Sequence, residues 1–436
     1  MSIYTDNWIE DHKQELIETL QGAVRFRTLE GQPEEGAPFG RTVKDCLDYT
    51  LDKAASMGLK TRDLDGYCGI IDAGEGDEML GILAHLDVVP EGTGWDHDPY
   101  GAEIADGRIY GRGTMDDKGP AVAGIFALKA VIASGMKFRR SVRIILGCNE
   151  ETGMLCLKHY KECERIPELS FSPDGEFPVT NSEKTILHCT YKASFNSHIK
   201  MNVGEAANVV PGYAEAEIDH NGIVKMLSYE GKLAHASLPW EGENALQGLL
   251  LSLRYEDLTG KDRVAVDTLC EAFKNEYYGQ SIGLDKEDES GRLTLNLGKM
   301  RWDENGFELT LDLRCPVTLP ECYIRERIEL ALAATGGRII RWNFIPGFSI
   351  PDDSEIVQKL LKVYRNRSGQ HDAMPRKIGG GTYARELPNA VSFGPEGYMC
   401  EASCHVANEF MSIDQLVMNA KMIADAIIAL ACEPLV

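Results

Sequence analysis

Two histidines and six carboxylates are spaced along the chain in a way that could assemble a metal centre. His85 and Asp87 lie two apart at the end of the apolar run GILAHLDVV, so in extended chain both side chains project to one face. An imidazole there can bind a metal while the carboxylate orients or charges the same site. Asp116 and Asp117 stand just before Gly119 and Pro120, residues that open a helix whose N-terminus favours negative charge. Glu150 and Glu151 follow the run SVRIILG, and consecutive residues in extended chain point in different directions. One can then hold a metal while the other serves as general base toward water. Asp174, in SFSPDGEFP between Pro173 and Pro178, is a further carboxylate, and His405 is a second imidazole. Taken singly, each has a plainer use: a strand-end hydrogen-bonded pair, a helix N-cap, an acidic turn, a turn at Asp-Gly. Together they offer two divalent cations one imidazole and one carboxylate each, with a shared aspartate between them, a donor set that suits zinc.

The elements that must carry these residues are legible in the periodicity. Apolar spacing predicts helices over 8–24 and 41–57, separated by a Gly- and Pro-rich loop at 31–40. Short apolar runs at 81–89, 108–113 and 141–147 predict strands, and between the last two a helix opens at Gly119 and Pro120 and ends near Gly135. Alternating strands and helices predict an α/β domain, a mostly parallel sheet flanked by helices, whose ligands gather at the carboxyl ends of the strands. Most of the candidate residues follow such strands. From 184 to 346 the pattern changes to alternating strands such as AEAEIDH and FELTLDLR, interleaved with helices such as NALQGLLLSLRY, which predicts an inserted α+β domain. After 347 come the helical SEIVQKLLKVYRN, the glycine-rich IGGGTYAR at 378–385 and a last helix near 413–432. The simplest organisation is a discontinuous domain, 1–183 with 347–436, interrupted by 184–346.

Composition narrows the partners. The chain has 436 residues, 45 Lys plus Arg against 68 Asp plus Glu, and a formal net charge of −23. With 43% hydrophobic and 26% charged residues it reads as a folded globular chain. Its negative field excludes nucleic acid and anionic membranes as partners and leaves small molecules and cations. Asp6, Glu10 and Asp11 stand where a signal peptide would be basic, and no apolar run approaches the roughly 18 residues of a membrane span; the expectation is a cytoplasmic protein. Twelve cysteines without a C-x-x-C pair predict reduced, mostly buried thiols. Cys400 and Cys404, the closest pair, are a weaker candidate for a structural zinc site.

The ordered stretches AHLDVVPEGTGWDHDPY, IYGRGTMDDKGP, GCNEETG, FSPDGEFP, IGGGTYAR and the His405 segment span nearly the whole chain. In them the sequence resembles the co-catalytic zinc exopeptidases that include aminoacylase, carboxypeptidase G and the succinyl-diaminopimelate desuccinylases. Within that family it is most similar to the PepV-type bacterial dipeptidases. The resemblance implies a catalytic domain with two zinc ions per chain, which manganese or cobalt can replace, and an inserted lid domain. His85 with Asp174 would hold one zinc and Glu151 with His405 the other. Asp116 would bridge them and join the next residue by a cis peptide; a register shift of one would give that role to Asp117. Glu150 matches the general base, and Asp87 the carboxylate behind the metal site.

In the inserted region, His235 of GKLAHAS matches the lid histidine that contacts the tetrahedral intermediate. Arg314 of LDLRCP matches an arginine that grips the substrate carboxylate, a task suited to its planar fork. Asn208 matches a further lid contact, and Gly380, Gly381 and Thr382 would help anchor the same carboxylate. Asp at position 174, where deacylating relatives carry Glu, implies a dipeptidase acting on free-amino dipeptides. The long insertion implies a lid histidine acting within its own chain, hence a monomer, although chain and lid are shorter than in PepV-type members. The alternatives are an N-acyl amino-acid deacylase on the same scaffold and an inactive relative that binds metal or peptide.

Overall fold

Short apolar runs bounded by turn residues become the strands of a buried sheet. In the computed structural model, which describes residues 3–220, 222–399 and 403–433, these are β1 (Lys60–Leu64), β2 (Cys68–Ala73), β3 (Met79–His85), β4 (Ser141–Gly147) and β5 (Leu169–Ser172). The order is β1-β2-β4-β3-β5, continued by the strand Ala390–Ser392. β3 runs parallel to β4 and β5, and Ala390–Ser392 is parallel to β5, while β1 and β2 are antiparallel additions at one edge. Every residue of β3 and all but the first of β4 are buried, as expected of parallel strands covered on both faces. The helix Lys118–Ala133 is apolar nearly all round and almost wholly buried, so it serves as core; the last helix, Ile413–Ala431, packs against it. This α/β unit comprises Met1–Asn181, Ile350–Arg376 and Gly381–Val436.

A second compact unit comprises Ser182–Ser349 and Lys377–Gly380. Its strands β6 (Thr185–Ser194), β7 (Ile199–Val203), β8 (Tyr213–His220), β9 (Ile223–Glu230), β10 (Thr294–Asp303), β11 (Gly306–Cys315) and β12 (Arg338–Ile345) form one sheet. The order is β9-β8-β7-β10-β11-β6-β12, antiparallel throughout. Leu246, Leu249 and Leu250 of the helix Ala245–Leu253, with residues of Gly260–Ala272 and Glu321–Leu332, share a core with the sheet's inward side chains. The sequence reading places Lys377–Gly380 in the other domain. They join this unit because the Lys184 N–H donates to the Ile378 carbonyl at 3.0 Å and Arg314 Nη1 to the Gly379 carbonyl at 2.7 Å.

Two local expectations change. The helix expected over 8–24 is two helices, Ile3–Asp11 and Lys13–Val24, with His12 between them at φ −106° and ψ 14°; its Nδ1 lies 2.7 Å from the Trp8 carbonyl oxygen, and its ring stacks on that of Trp8. The strand expected at 108–113 is only Arg108–Tyr110 and is absent from the central sheet. It pairs antiparallel with Glu103–Ala105 and Phe410–Ser412, a pairing across most of the chain that local periodicity cannot report. Among the described residues no helix is long and apolar enough to cross a membrane.

Packing at the carboxyl end of β4 is close. A Cβ built at Gly147 would meet the hydroxyl and ring of Tyr383, which is itself fully buried with its hydroxyl 2.8 Å from Cys156 Sγ. Gly147→Ala is therefore expected to destabilise the protein by about 1–3 kcal/mol, read as a lower denaturation midpoint in urea; an unchanged midpoint contradicts this.

Candidate metal centre

Strand ends and loops of the α/β unit bring together the two histidines and six carboxylates singled out in the sequence. His85 ends β3, fully buried, with Nε2 2.9 Å from Asp116 Oδ1. His405 places its Nε2 2.8 Å from Asp116 Oδ2 and 3.2 Å from Glu151 Oε1. The two oxygens of one carboxylate thus face two different imidazoles. His85, Asp116 and Asp174 each offer a donor atom within 4.8 Å of the others, and so do Asp116, Glu151 and His405. The Asp116–Asp117 peptide is cis. Asp117 turns away from both clusters: its Oδ2 accepts from the His85 backbone N–H at 3.0 Å, and its buried Oδ1 has no partner among the described residues. His405 has φ 61°, in the left-handed region that residues with a Cβ seldom occupy.

Asp87 lies beside His85, as its spacing suggests, and makes further contacts. Its carboxylate lies 3.5 Å from His85 Nδ1, and that nitrogen is nearer the Asp87 carbonyl oxygen, at 3.0 Å. The two carboxylate oxygens instead accept the backbone N–H groups of Glu150 and Glu151, each at 3.0 Å. One buried carboxylate therefore fixes the turn that aims both glutamates. Glu151 belongs to the second cluster, whereas Glu150 keeps a buried Oε1 with no partner among the described residues.

The electrostatics fit a cation. Burial drives the Glu150 carboxyl well above the usual carboxylate range, against the opposing pull of His85. Burial, reinforced by the charge of Asp116, does the same to Asp174 and also raises Glu151. Asp116 goes the other way: burial opposes its charge, but hydrogen bonds to His405 and His85 hold its carboxyl far below normal. The imidazoles gain correspondingly. Burial works against the charged form of His405, yet Asp116 and Glu151 raise it to about 11; Asp116 and Asp87 overcome the same penalty at His85. Carboxylates crowded into a largely buried site, with protonated imidazoles facing them, are a donor set that divalent metal would satisfy in place of those protons. Oxygen and imidazole nitrogen donors suit zinc, manganese and cobalt alike.

The remaining candidates divide between the units. Thr382 in the α/β unit is buried, its hydroxyl 2.7 Å from that of Ser392 and accepting from the Ala384 N–H, and Gly381 precedes it with Arg385 close by. His235, Asn208, Arg314 and Gly380 belong to the antiparallel unit. There His235 pairs with Val209 in a two-stranded ladder, its Nδ1 2.7 Å from Ser237 Oγ, and the Asn208 carbonyl accepts from Ala236. Arg314 donates from Nε and Nη2 to Asp312 and from Nη1 to Gly379. Those bonds use three of the five guanidinium hydrogens. Asp312 is fully buried and also lies 2.9 Å from His188 Nε2. Cys400 lies outside the described residues, and Cys404 donates its thiol hydrogen to Glu396.

Spacing alone does not single out Tyr383 or the Arg112–Glu409 pair. The Tyr383 ring stands edge-on to His85 at 6.0 Å; the available signal was an aromatic directly after GGGT. For Glu409 and Arg112, joined at 2.5 Å in full burial, the signal was an acid four residues after His405 and an arginine in YGRG.

Comparison with known proteins agrees with this architecture. The model of "Peptidase family M20/M25/M40" matches residues 81–429. The chain is 34% identical to the Bacillus subtilis protein named "Putative dipeptidase YtjP", over 96% of this chain and 98% of that one. Among solved structures, an M20 family metallo-carboxypeptidase from Sulfolobus solfataricus has a TM-score of 0.60 at 16% identity, covering 94% of this chain and 98% of its own. The dipeptidase Dug1p from Saccharomyces cerevisiae has a TM-score of 0.60 at 14% identity, covering 98% of each chain. At that level of identity these two structures speak for the fold. The matched family model and the end-to-end relative speak for descent: the chain belongs to peptidase family M20/M25/M40 and is a metal-dependent peptidase.

Proposed function

We propose that the protein is a dipeptidase that hydrolyses free-amino dipeptides at two divalent cations, zinc in the first instance. The observation that carries this reading is Asp116, whose two oxygens face the imidazoles of His85 and His405 in two donor clusters. His85 and Asp174 would hold one cation, Glu151 and His405 the other, and Asp116 both. The name of the Bacillus subtilis relative supports the substrate class.

Divalent metal in this place supplies Lewis acidity toward the scissile carbonyl and toward water. The protein's own groups do the rest. Glu150, whose buried Oε1 has no partner among the described residues, takes the proton of the attacking water and returns it to the leaving nitrogen; its raised affinity for a proton suits both transfers. The Asp87 clamp on the Glu150 and Glu151 N–H groups keeps base and ligand from exchanging places. His235 donates to the developing oxyanion, and the Arg314 guanidinium grips the substrate carboxylate with Asn208 and the 380–382 backbone as further contacts. A carboxylate-rich centre favours a free substrate ammonium over an acylated nitrogen.

The test is hydrolysis by metal-stripped protein of a panel of free dipeptides and their N-acetyl counterparts, with and without added Zn2+ or Mn2+. Metal-dependent cleavage of the free set alone is expected. Cleavage of the acetylated set instead would make the protein a deacylase and overturn the use made of Asp174, and no cleavage by metal-loaded protein would leave a binding protein. Glu150→Gln is expected to lower kcat by about 100- to 10,000-fold while metal affinity, read by titration of the stripped protein, stays at the wild-type value. A variant that kept its turnover would remove Glu150 from the mechanism.

A further inference from the structure

We infer that Glu409 is a positioning residue that sets the geometry between Asp116 and His405, and so the metal affinity of the centre; this rests on reading Asp116 and His405 as metal ligands. Glu409 is completely buried. Its Oε1 accepts three backbone N–H groups of the segment that carries Asp116: Gly113 at 3.0 Å, Met115 at 2.9 Å and Asp116 itself at 3.2 Å. Its Oε2 accepts from Arg112 Nη1, and its backbone carbonyl accepts from the Gly111 N–H at 2.9 Å. The bend from 111 to 116 is thus folded around one carboxylate from the far end of the sequence.

The same residue stands at the edge of the His405 segment. Phe410 directly follows it and pairs with Tyr110, which fixes the register between the two segments immediately beside Glu409. On the other side, the Asn408 side chain accepts from the Asp96 N–H and donates to the Asp96 carboxylate, both at 2.8 Å. The stretch from His405 to Phe410 is therefore anchored at its end by contacts that also shape the loop of its partner ligand. Arg112 offsets part of the Glu409 charge. Arg112 is held in turn by the Pro90 and Glu91 carbonyls and by the face of Trp95, with its guanidinium carbon 5.4 Å from the ring centroid.

An acceptor that gathers three N–H groups at a ligand-bearing bend has no solvent substitute in a buried site. Groups behind a ligand typically alter metal affinity by about 10–100-fold when removed. Full-length wild type, Glu409→Ala, Glu409→Gln, the double variant Glu409→Gln with Arg112→Met, and Asp116→Asn, all stripped of metal, would be titrated with Zn2+ against a chromophoric chelator. Absorption spectra of the Co2+-loaded forms report ligand geometry independently of activity.

Glu409→Ala is expected to bind Zn2+ about 10–100-fold more weakly and to shift the Co2+ bands. Glu409→Gln turns an amide N–H toward Arg112 and is expected to lose affinity as well. The double variant removes that opposing donor, keeps an oxygen facing the three N–H groups, and should recover most of the loss, a rescue that a purely structural role would not produce. Should Glu409→Ala not fold, Glu409→Gln and the double variant carry the test. Wild-type affinity and spectrum in the Glu409 variants, with Asp116→Asn impaired, overturn the positioning role alone. Wild-type affinity in Asp116→Asn overturns the reading of the centre and this inference with it.

Discussion

Five carboxylates, those of Asp116, Asp117, Glu150, Glu151 and Asp174, must be held close together where water reaches them only in part, and their mutual repulsion is the constraint around which this protein is built. The opposing interactions come from backbone more than from side-chain cations. Asp117 takes the His85 N–H and stands at the start of the helix Lys118–Ala133, whose N-terminus stabilises negative charge. Asp87 adds yet another buried carboxylate, but uses it to bind the two N–H groups of the glutamate turn. The two imidazoles supply positive charge only as long as they keep their protons, so binding of divalent cations by the same atoms is a competition with protons and weakens as pH falls.

Much of this was legible in the sequence. The runs ending at His85 and at Gly147 are apolar because both faces of a parallel strand are covered, and that pattern identifies the strands and the ends at which their chemistry gathers. The family resemblance extends the same residues to roles, and the matched family model supports the family itself. What spacing cannot convey is the partner a side chain meets. Asp87 leaves its strand on the His85 side, yet its oxygens bond to a turn made more than sixty residues later. The run containing Arg108–Tyr110 reads as a strand of the central sheet, but its partner is Phe410–Ser412, close to the other end of the chain. Both pairings are silent in the sequence for one reason: hydrogen-bond partners distant in sequence leave no local period.

The antiparallel unit follows a different logic. Its sheet buries one face against helices through a continuous apolar core, and its charged groups are arranged in short relays. His188, Asp312 and Arg314 form one, with the buried Asp312 between an imidazole and a guanidinium. Arg314 is thereby fixed in direction by its neighbours within the unit.

The discontinuity of the α/β unit has a consequence for the order of biosynthesis. As the chain emerges from the ribosome, His85, Asp116, Glu151 and Asp174 are made first, then the whole antiparallel unit except four residues, and only afterwards Ala390–Ser392 and His405. The intervening unit has its own core and can complete nearly all its pairings while the first awaits its last parallel strand. A nascent chain at that stage holds the acidic cluster without its second imidazole, and without the Glu409 brace around which residues 111–116 close. Assembly of the cluster thus waits for the last part of the α/β unit, since a translation product that stops short of His405 carries the carboxylates but neither of those two groups.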